Sequence, residues 1–198
     1  PVIITGETAT KQNAENMVHQ LSDAAGEFLV ATAGPDLEGI IAAKGSGASM
    51  HAKKTGKAVA NIDIGGGTAN IAVYQGDKLK GTCTLHIGGR LIEFEHNLVK
   101  SISPPIQALI KREGWDLKEG DNNSHPSIGK IIGRMAKVIA GILRKEPDPN
   151  DDVLLLGHKP NWGCPVDMVM FSGGIAECMY RLEKPGHSKA VYDDIGWQ

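Results

Sequence analysis

Residues 58–68 read Ala-Val-Ala-Asn-Ile-Asp63-Ile-Gly-Gly-Gly-Thr68. An apolar, strand-like run delivers one carboxylate onto a triple-glycine turn, and Thr68 leads into a second run, Ala69–Tyr74. Gly65, Gly66 and Gly67 can adopt positive φ and bring bare backbone N–H groups against an anion with no β-carbon in the way. Asp63 would repel a phosphate directly. The chemistry that reconciles the two is a carboxylate facing a hydrated Mg²⁺ that phosphates share. A plain hairpin turn is the alternative, but a two-residue hairpin needs no run of three glycines. A carboxylate in an apolar strand is also costly unless it is solvated or matched by a cation. The helix-mouth phosphate loop is excluded, because no Gly-Lys-Ser/Thr follows. Thr68 reads equally as a strand starter and as a hydroxyl within reach of a phosphate oxygen.

The elements that must hold this turn follow from periodicity. Strands are predicted at Val2–Ile4, Phe28–Ala31, 58–64, 69–75 and 79–87, the last two joined at Gly76-Asp77. A helix is predicted over Ala9–Ala24 and another, rich in small residues, from Asp36 to Lys44. Gly45-Ser46-Gly47-Ala48-Ser49 reads as a flexible junction and the best domain boundary, dividing residues 1–48 from 58–198. Leu91 to about Leu109 reads as helical, interrupted at Ser103-Pro104-Pro105, so that Gly88 and Gly89 would ease a strand-to-helix passage. Apolar residues from Ile128 to Leu143 follow i, i+3, i+4, i+7 and predict an amphipathic helix over 127–144. Apolar strands at Val153–Leu156 and Val166–Phe171 precede Ser172-Gly173-Gly174, which opens a final helix. This order argues an α/β fold with a mixed sheet and flanking helices.

Composition narrows the function classes. The 198 residues carry a net charge of −2, with 41% hydrophobic and 22% charged residues. That balance gives no global attraction to nucleic acid or to an anionic membrane. No run approaches the roughly 18–20 apolar residues that cross a bilayer. Cys83, Cys164 and Cys178 have no Cys-x-x-Cys spacing and fit reduced thiols in a cytoplasmic protein. His158, Cys164 and His187 lack zinc-ligand spacing. Trp162, between Pro160 and Cys164, reads as local packing or as an exposed partner contact.

The order of motifs carries a resemblance. Asp63–Thr68 with Ile87-Gly-Gly-Arg90 downstream resembles the second phosphate motif of the actin, heat-shock chaperone and sugar kinase superfamily. Met168-Val-Met-Phe-Ser-Gly-Gly-Ile-Ala-Glu177 is similar to its adenosine motif. Pro35, the small-residue helix after it and Gly45-x-Gly47 resemble the helix that connects the two lobes. Closer still, Val2–Ala9, Val30–Glu38 and Asn61–Tyr74 resemble the ethanolamine ammonia-lyase reactivating factors of ethanolamine utilisation.

The resemblance implies an actin-like ATPase (ribonuclease H-like) fold with ATP and Mg²⁺ as cofactors, Asp63 holding the metal through water. It implies that Gly173 and Gly174 approach adenine and ribose, although the pair would also serve merely to start a helix. It implies an ATP-dependent chaperone that exchanges damaged cobalamin in the lyase for intact adenosylcobalamin. The expected partner is ethanolamine ammonia-lyase, with self-association as a further option and no nucleic acid or membrane. The expected location is cytoplasmic, with association to a bacterial microcompartment as an addition. The family's first phosphate hairpin has no counterpart here, and the chain opens Pro1-Val-Ile-Ile inside a predicted strand. A shortened first lobe and weak nucleotide binding are therefore expected. The chaperone glutamate before the connecting proline is replaced by Gly34, leaving Asp36 as a weak candidate for a hydrolysis base and a stronger one for a helix cap. A small-molecule kinase needs an Asp base against a substrate hydroxyl, and none is evident. A non-catalytic actin-like scaffold is the third reading.

Overall fold

The structure, a computed structural model, describes residues 2–4, 30–32, 34–181 and 193–197. Strands β1 (Val2–Ile4) and β2 (Val30–Thr32) pair in parallel, with Val2 opposite Val30. The helix expected over Ala9–Ala24 lies outside the described residues. Helix α1 (Pro35–Gly45) starts with Gly34 as N-cap and proline at its first position, where the missing N–H costs no hydrogen bond. Helix α2 (Ala48–Thr55) follows at once. The expected flexible junction is thus only a turn at Ser46 and Gly47. The Ser46 and Gly47 amides bond back to Ala42 and Lys44, and Gly47 at φ 85° redirects the chain.

Strand β3 (Ala58–Ile64) is an interior strand of a five-stranded sheet. It pairs antiparallel with β4 (Ala69–Gln75) on one side and parallel with β9 (Met168–Ser172) on the other. β5 (Lys78–Leu85) and the short β8 (Leu155–Leu156) extend the sheet beyond β4, giving the order β8-β5-β4-β3-β9. The sheet is mixed, as the sequence implies. A two-residue turn with Gly76 at φ 60° joins β4 to β5.

Alternation along β3 sends its side chains to two different packing layers. Ala58, Ala60, Ile62 and Ile64 join the main core with Ile128, Ile131, Met135, Val138 and Ile142 of helix α4 (Pro126–Arg144). Burying each of the larger side chains contributes about 1.5–3 kcal/mol. Val59 instead packs with Ala43, Ala48 and Ala52 of α1 and α2, and with Ala72 and Tyr74 of β4. Small residues on these helices let them lie close to the sheet. Being covered on both faces explains why β3 and β4 read as nearly continuous apolar runs.

The region from Leu91 to Leu109 departs from expectation. Instead of one helix, it holds a hairpin of β6 (Ile92–Glu95) and β7 (Leu98–Ile102), followed by helix α3 (Pro104–Glu113). His96 (φ 53°) and Asn97 (φ 65°) both occupy the left-handed region, the turn that matches strand twist. Buried Ile92 and Phe94 alternate with Glu93 and Glu95, a period of two that the short apolar run conceals. The tandem prolines open α3 rather than interrupting a helix. The expected strand at Val153–Leu156 is shortened, because a 3₁₀ turn over Pro149–Leu154 takes its first residues. Helix α5 (Gly173–Arg181) follows β9 directly.

Candidate functional site

β3, the start of β4, the segment after β5 and the β9–α5 junction converge where β3 ends. The Gly65 amide donates to the Thr68 carbonyl at 3.0 Å and closes the hairpin. None of Gly65, Gly66 or Gly67 lies at left-handed φ, contrary to expectation. What the glycines provide is room. A β-carbon on Gly66 would sit 3.3 Å from Cδ of Arg90. One on Gly88 would stand 2.3 Å from the Gly66 carbonyl oxygen, which backbone cannot concede. Gly88 and Gly89 therefore serve a backbone-to-backbone contact ahead of the β6–β7 hairpin, not entry into a helix.

That contact assigns the polar groups of the turn. The carbonyls of Gly65 and Gly66 accept from the Gly89 and Arg90 amides at 3.0 and 2.7 Å. Among the described residues, no backbone carbonyl accepts from the amides of Gly66 and Gly67. The space a β-carbon would take is open at Gly67 and meets only the Thr68 carbonyl, at 3.9 Å, at Gly65. Carbonyls turned inward and amides left over is the arrangement an anion needs. Gly173, at φ 86°, belongs to the same cluster, since a β-carbon on it would meet the Ile64 carbonyl at 2.5 Å. Gly174 is exposed beside it with open space around it. Thr68 is buried.

Asp63 is half-exposed, and its Oδ1 accepts from the Ser172 hydroxyl at 2.7 Å. Register places Ser172, Asp63, Asn70 and Thr84 side by side across β9, β3, β4 and β5. The Thr84 hydroxyl donates to Asn70 Oδ1 at 3.0 Å. This polar row escapes a reading one strand at a time, because only the register of four strands brings its members together. Among the described residues no group of three His, Cys, Asp or Glu side chains could hold a metal directly. A single carboxylate beside open amides suits Mg²⁺ held mainly by phosphate oxygens and water.

Asp36 is placed elsewhere. It lies inside the first turn of α1, so it does not cap the helix. Its Oδ1 accepts from the Thr82 hydroxyl at 2.6 Å and meets His158 Nε2 at 3.1 Å. Those bonds, the Thr82 hydroxyl first, hold its carboxyl below the usual range against the opposing effect of burial. Thr82 pairs with Ala72, two strands over from β3 and one step back from the Asp63 row.

Arg90 is an addition the residue types did not single out. Its guanidinium Nε stands 3.9 Å from Asp194, whose carboxyl is raised mainly by burial and also accepts from the Gly196 amide at 2.8 Å. Beside the glycines, an apolar groove of about 680 Å³ runs between α4 and α5, walled by Gly89, Ile132, Met135, Phe171 and Ile175. Trp162 is buried, so it packs locally. No described helix is long and apolar enough to cross a membrane.

Comparisons with known proteins bear on family and fold. The family described as "Ethanolamine utilisation protein EutA" matches residues 1–198. A protein of Escherichia coli strain K12 named ethanolamine ammonia-lyase reactivase EutA is 35% identical over 178 residues, 89% of this chain and 38% of its own length. Its namesake from Salmonella typhimurium strain LT2 is 36% identical over 197 residues, 98% of this chain and 41% of its own. The chain thus spans about two-fifths of the curated relatives it matches. The Ppx/GppA family member of Aquifex aeolicus superposes with TM-score 0.51 at 19% identity, covering 95% of this chain and 47% of that one. That likeness bears on fold alone, and the fold is that of the actin-like ATPases. Because the family matches residues 1–198 of this chain, the chain belongs to the EutA family of ethanolamine utilisation proteins.

Proposed function

We propose that this chain supplies part of the nucleotide site of an ATP-dependent reactivating chaperone for ethanolamine ammonia-lyase, one that promotes exchange of damaged cobalamin for intact adenosylcobalamin. The observation that carries the reading is the division of labour at the turn. The carbonyls of Gly65 and Gly66 are consumed internally, while the neighbouring amides and Asp63 remain for a ligand. Two relatives named as reactivases of that lyase support the choice of partner.

In this reading Gly65, Gly66, Gly67 and Thr68 cradle the phosphates, and Asp63 orients water on Mg²⁺. Gly173 and Gly174 let the nucleoside approach the backbone. Bound Mg²⁺ would neutralise phosphate charge that Asp63 would otherwise repel. We read 1–48 as part of one lobe with its connecting helix and 58–198 as the second, so that ligand between them biases their opening. Asp36, committed to Thr82 and His158, is a poor hydrolysis base, and turnover should be slow. The protein acts in the cytoplasm, associated with a microcompartment where one is present.

The test incubates cofactor-inactivated ethanolamine ammonia-lyase with the protein, ATP, Mg²⁺ and fresh adenosylcobalamin, and follows recovered activity. Recovery that requires ATP supports the proposal. A phosphorylated metabolite without recovery would establish a kinase of this fold. Neither outcome would leave a non-catalytic scaffold.

A further inference from the structure

Asn61 is fully buried in β3, two residues before Asp63 and on the same face. A carboxamide there must satisfy both its donor and its acceptor. Its Nδ2 donates to Ser172 Oγ at 2.9 Å, and its Oδ1 accepts from the Ser46 hydroxyl at 2.7 Å. Ser172 in turn donates to Asp63. The direction of the chain is forced. A carboxylate only accepts, so the single proton of Ser172 goes to Asp63, and Ser172 must accept from the amide nitrogen of Asn61. That leaves the Asn61 carbonyl oxygen facing Ser46. The single Ser46 proton has the Ala43 carbonyl at 3.3 Å as a second acceptor and goes to Asn61 at the shorter distance of 2.7 Å, completing the line.

Ser46 stands at the C-terminus of α1, next to left-handed Gly47, and its Oγ also lies 3.4 Å from the Ala48 amide that opens α2. We infer that Ser46, Asn61 and Ser172 form a positioning relay. It presets the Asp63 carboxylate for the metal and couples that carboxylate to the turn between α1 and α2. Ser172 engages Oδ1, while Oδ2 takes no hydrogen bond from the described residues and stays available. A shift of α1 against α2 would withdraw the Ser46 proton and, through Asn61, loosen Ser172. Movement of the interhelical turn and affinity for the metal–nucleotide are then two faces of one equilibrium. The part concerning metal rests on the nucleotide reading above; the coupling part does not.

Two measurements on the protein separate them. The first is amide hydrogen exchange across residues 46–49 without nucleotide. Ser172→Ala should accelerate exchange there several-fold, although the lost hydroxyl belongs to β9. The second is ATP titration with and without Mg²⁺. Ser172→Ala should raise the Kd for Mg-ATP roughly tenfold while leaving metal-free ATP binding as in wild type. Ser46→Ala should act in the same direction by about threefold, and Ser46→Thr, which keeps the hydroxyl, should restore wild-type binding. A merely structural role would lower the thermal midpoint without changing the ratio of the two affinities. Folded Ser46→Ala and Ser172→Ala variants with wild-type exchange and wild-type Mg²⁺ dependence would overturn the relay. A wild-type protein whose ATP binding ignores Mg²⁺ would instead remove the metal role of Asp63, and the exchange result alone would then decide the coupling.

Discussion

The backbone N–H of Arg90 donates to the carbonyl of Gly66 at 2.7 Å, tying the segment after β5 to the tip of the β3–β4 hairpin. This bond, with its neighbour from Gly89 to Gly65, turns a flexible glycine run into one defined surface. Glycine at Gly88 is a condition of the contact, because the two backbones meet where a side chain would begin.

Gly88 and Gly67 should therefore respond differently to the same substitution. Gly88→Ala forces backbone apart at Gly66 and should destabilise by about 1–3 kcal/mol or more, read from denaturant unfolding. Gly67→Ala meets nothing within 4 Å and has unexceptional φ, so stability should stay within about 0.5 kcal/mol. Its methyl should nonetheless obstruct an anion at the neighbouring amides and weaken Mg-ATP binding. Equal stability losses in the two variants would contradict this account.

Asp63→Ala should abolish the Mg²⁺ dependence of nucleotide affinity and leave the fold intact, since the residue is half-exposed and bonded only at Oδ1 among the described residues. Isothermal titration with and without Mg²⁺ checks it. Unchanged affinity would exclude Asp63 from the site.

The Asp36–His158 contact predicts a window of pH. The His158 ring is raised by the Lys159 carbonyl first and then by Asp36, so its contribution is complete below about pH 6.5 and disappears as pH rises through the folded value. Asp36 is lowered, so its contribution is present above 3.8 and is lost as pH falls through its folded value. Both operate together between about pH 4 and 6.5. With both side chains 55% exposed, the pair should be worth less than about 1 kcal/mol. His158→Ala should shift the urea midpoint at pH 5.5 and leave it unchanged at pH 8.5; a larger loss at the higher pH would reverse the assignment.

Arg134 holds a denser charge cluster. Its guanidinium lies 2.8 Å from buried Asp151 and 3.3 Å from Asp148, near Glu113 at 3.7 Å. Burial raises the Asp151 carboxyl, with the Arg134 charge opposing. Arg134→Met leaves that charge without its partner and should cost on the order of 3 kcal/mol at neutral pH. The loss should shrink as pH falls and Asp151 takes up a proton. Thermal unfolding at pH 7 and pH 4.5 compares the two, and a loss independent of pH would point to packing alone.

Thiol chemistry should be selective. Burial, with Asp36 adding to it, pushes Cys83 up to about 12, and Cys164 is also buried. Cys178 is half-buried on the wall of the apolar groove. At pH 8 a maleimide should label Cys178 first in the native protein and all three cysteines once it is unfolded. Native labelling at Cys83 would show that β5 opens readily.

The amino-acid sequence by itself determined the β3–β4 hairpin, Asp63 at its mouth, the Gly173 junction and the long amphipathic helix α4. Each is a local pattern of period and glycine, and the order of those motifs carried the family. It did not reveal the β6–β7 hairpin, whose turn at His96-Asn97 lacks glycine and whose strands are only four and five residues long. Nor did it place Asp36, because only tertiary structure brings Thr82 and His158 to that carboxylate. The same holds at the glycine turn. Residue types said that backbone could approach an anion there; the bonds from Gly89 and Arg90 decided which carbonyls turn away and which amides remain. Local sequence sets what each segment can donate and accept. Contacts between segments distant in the chain decide which of those groups are already taken.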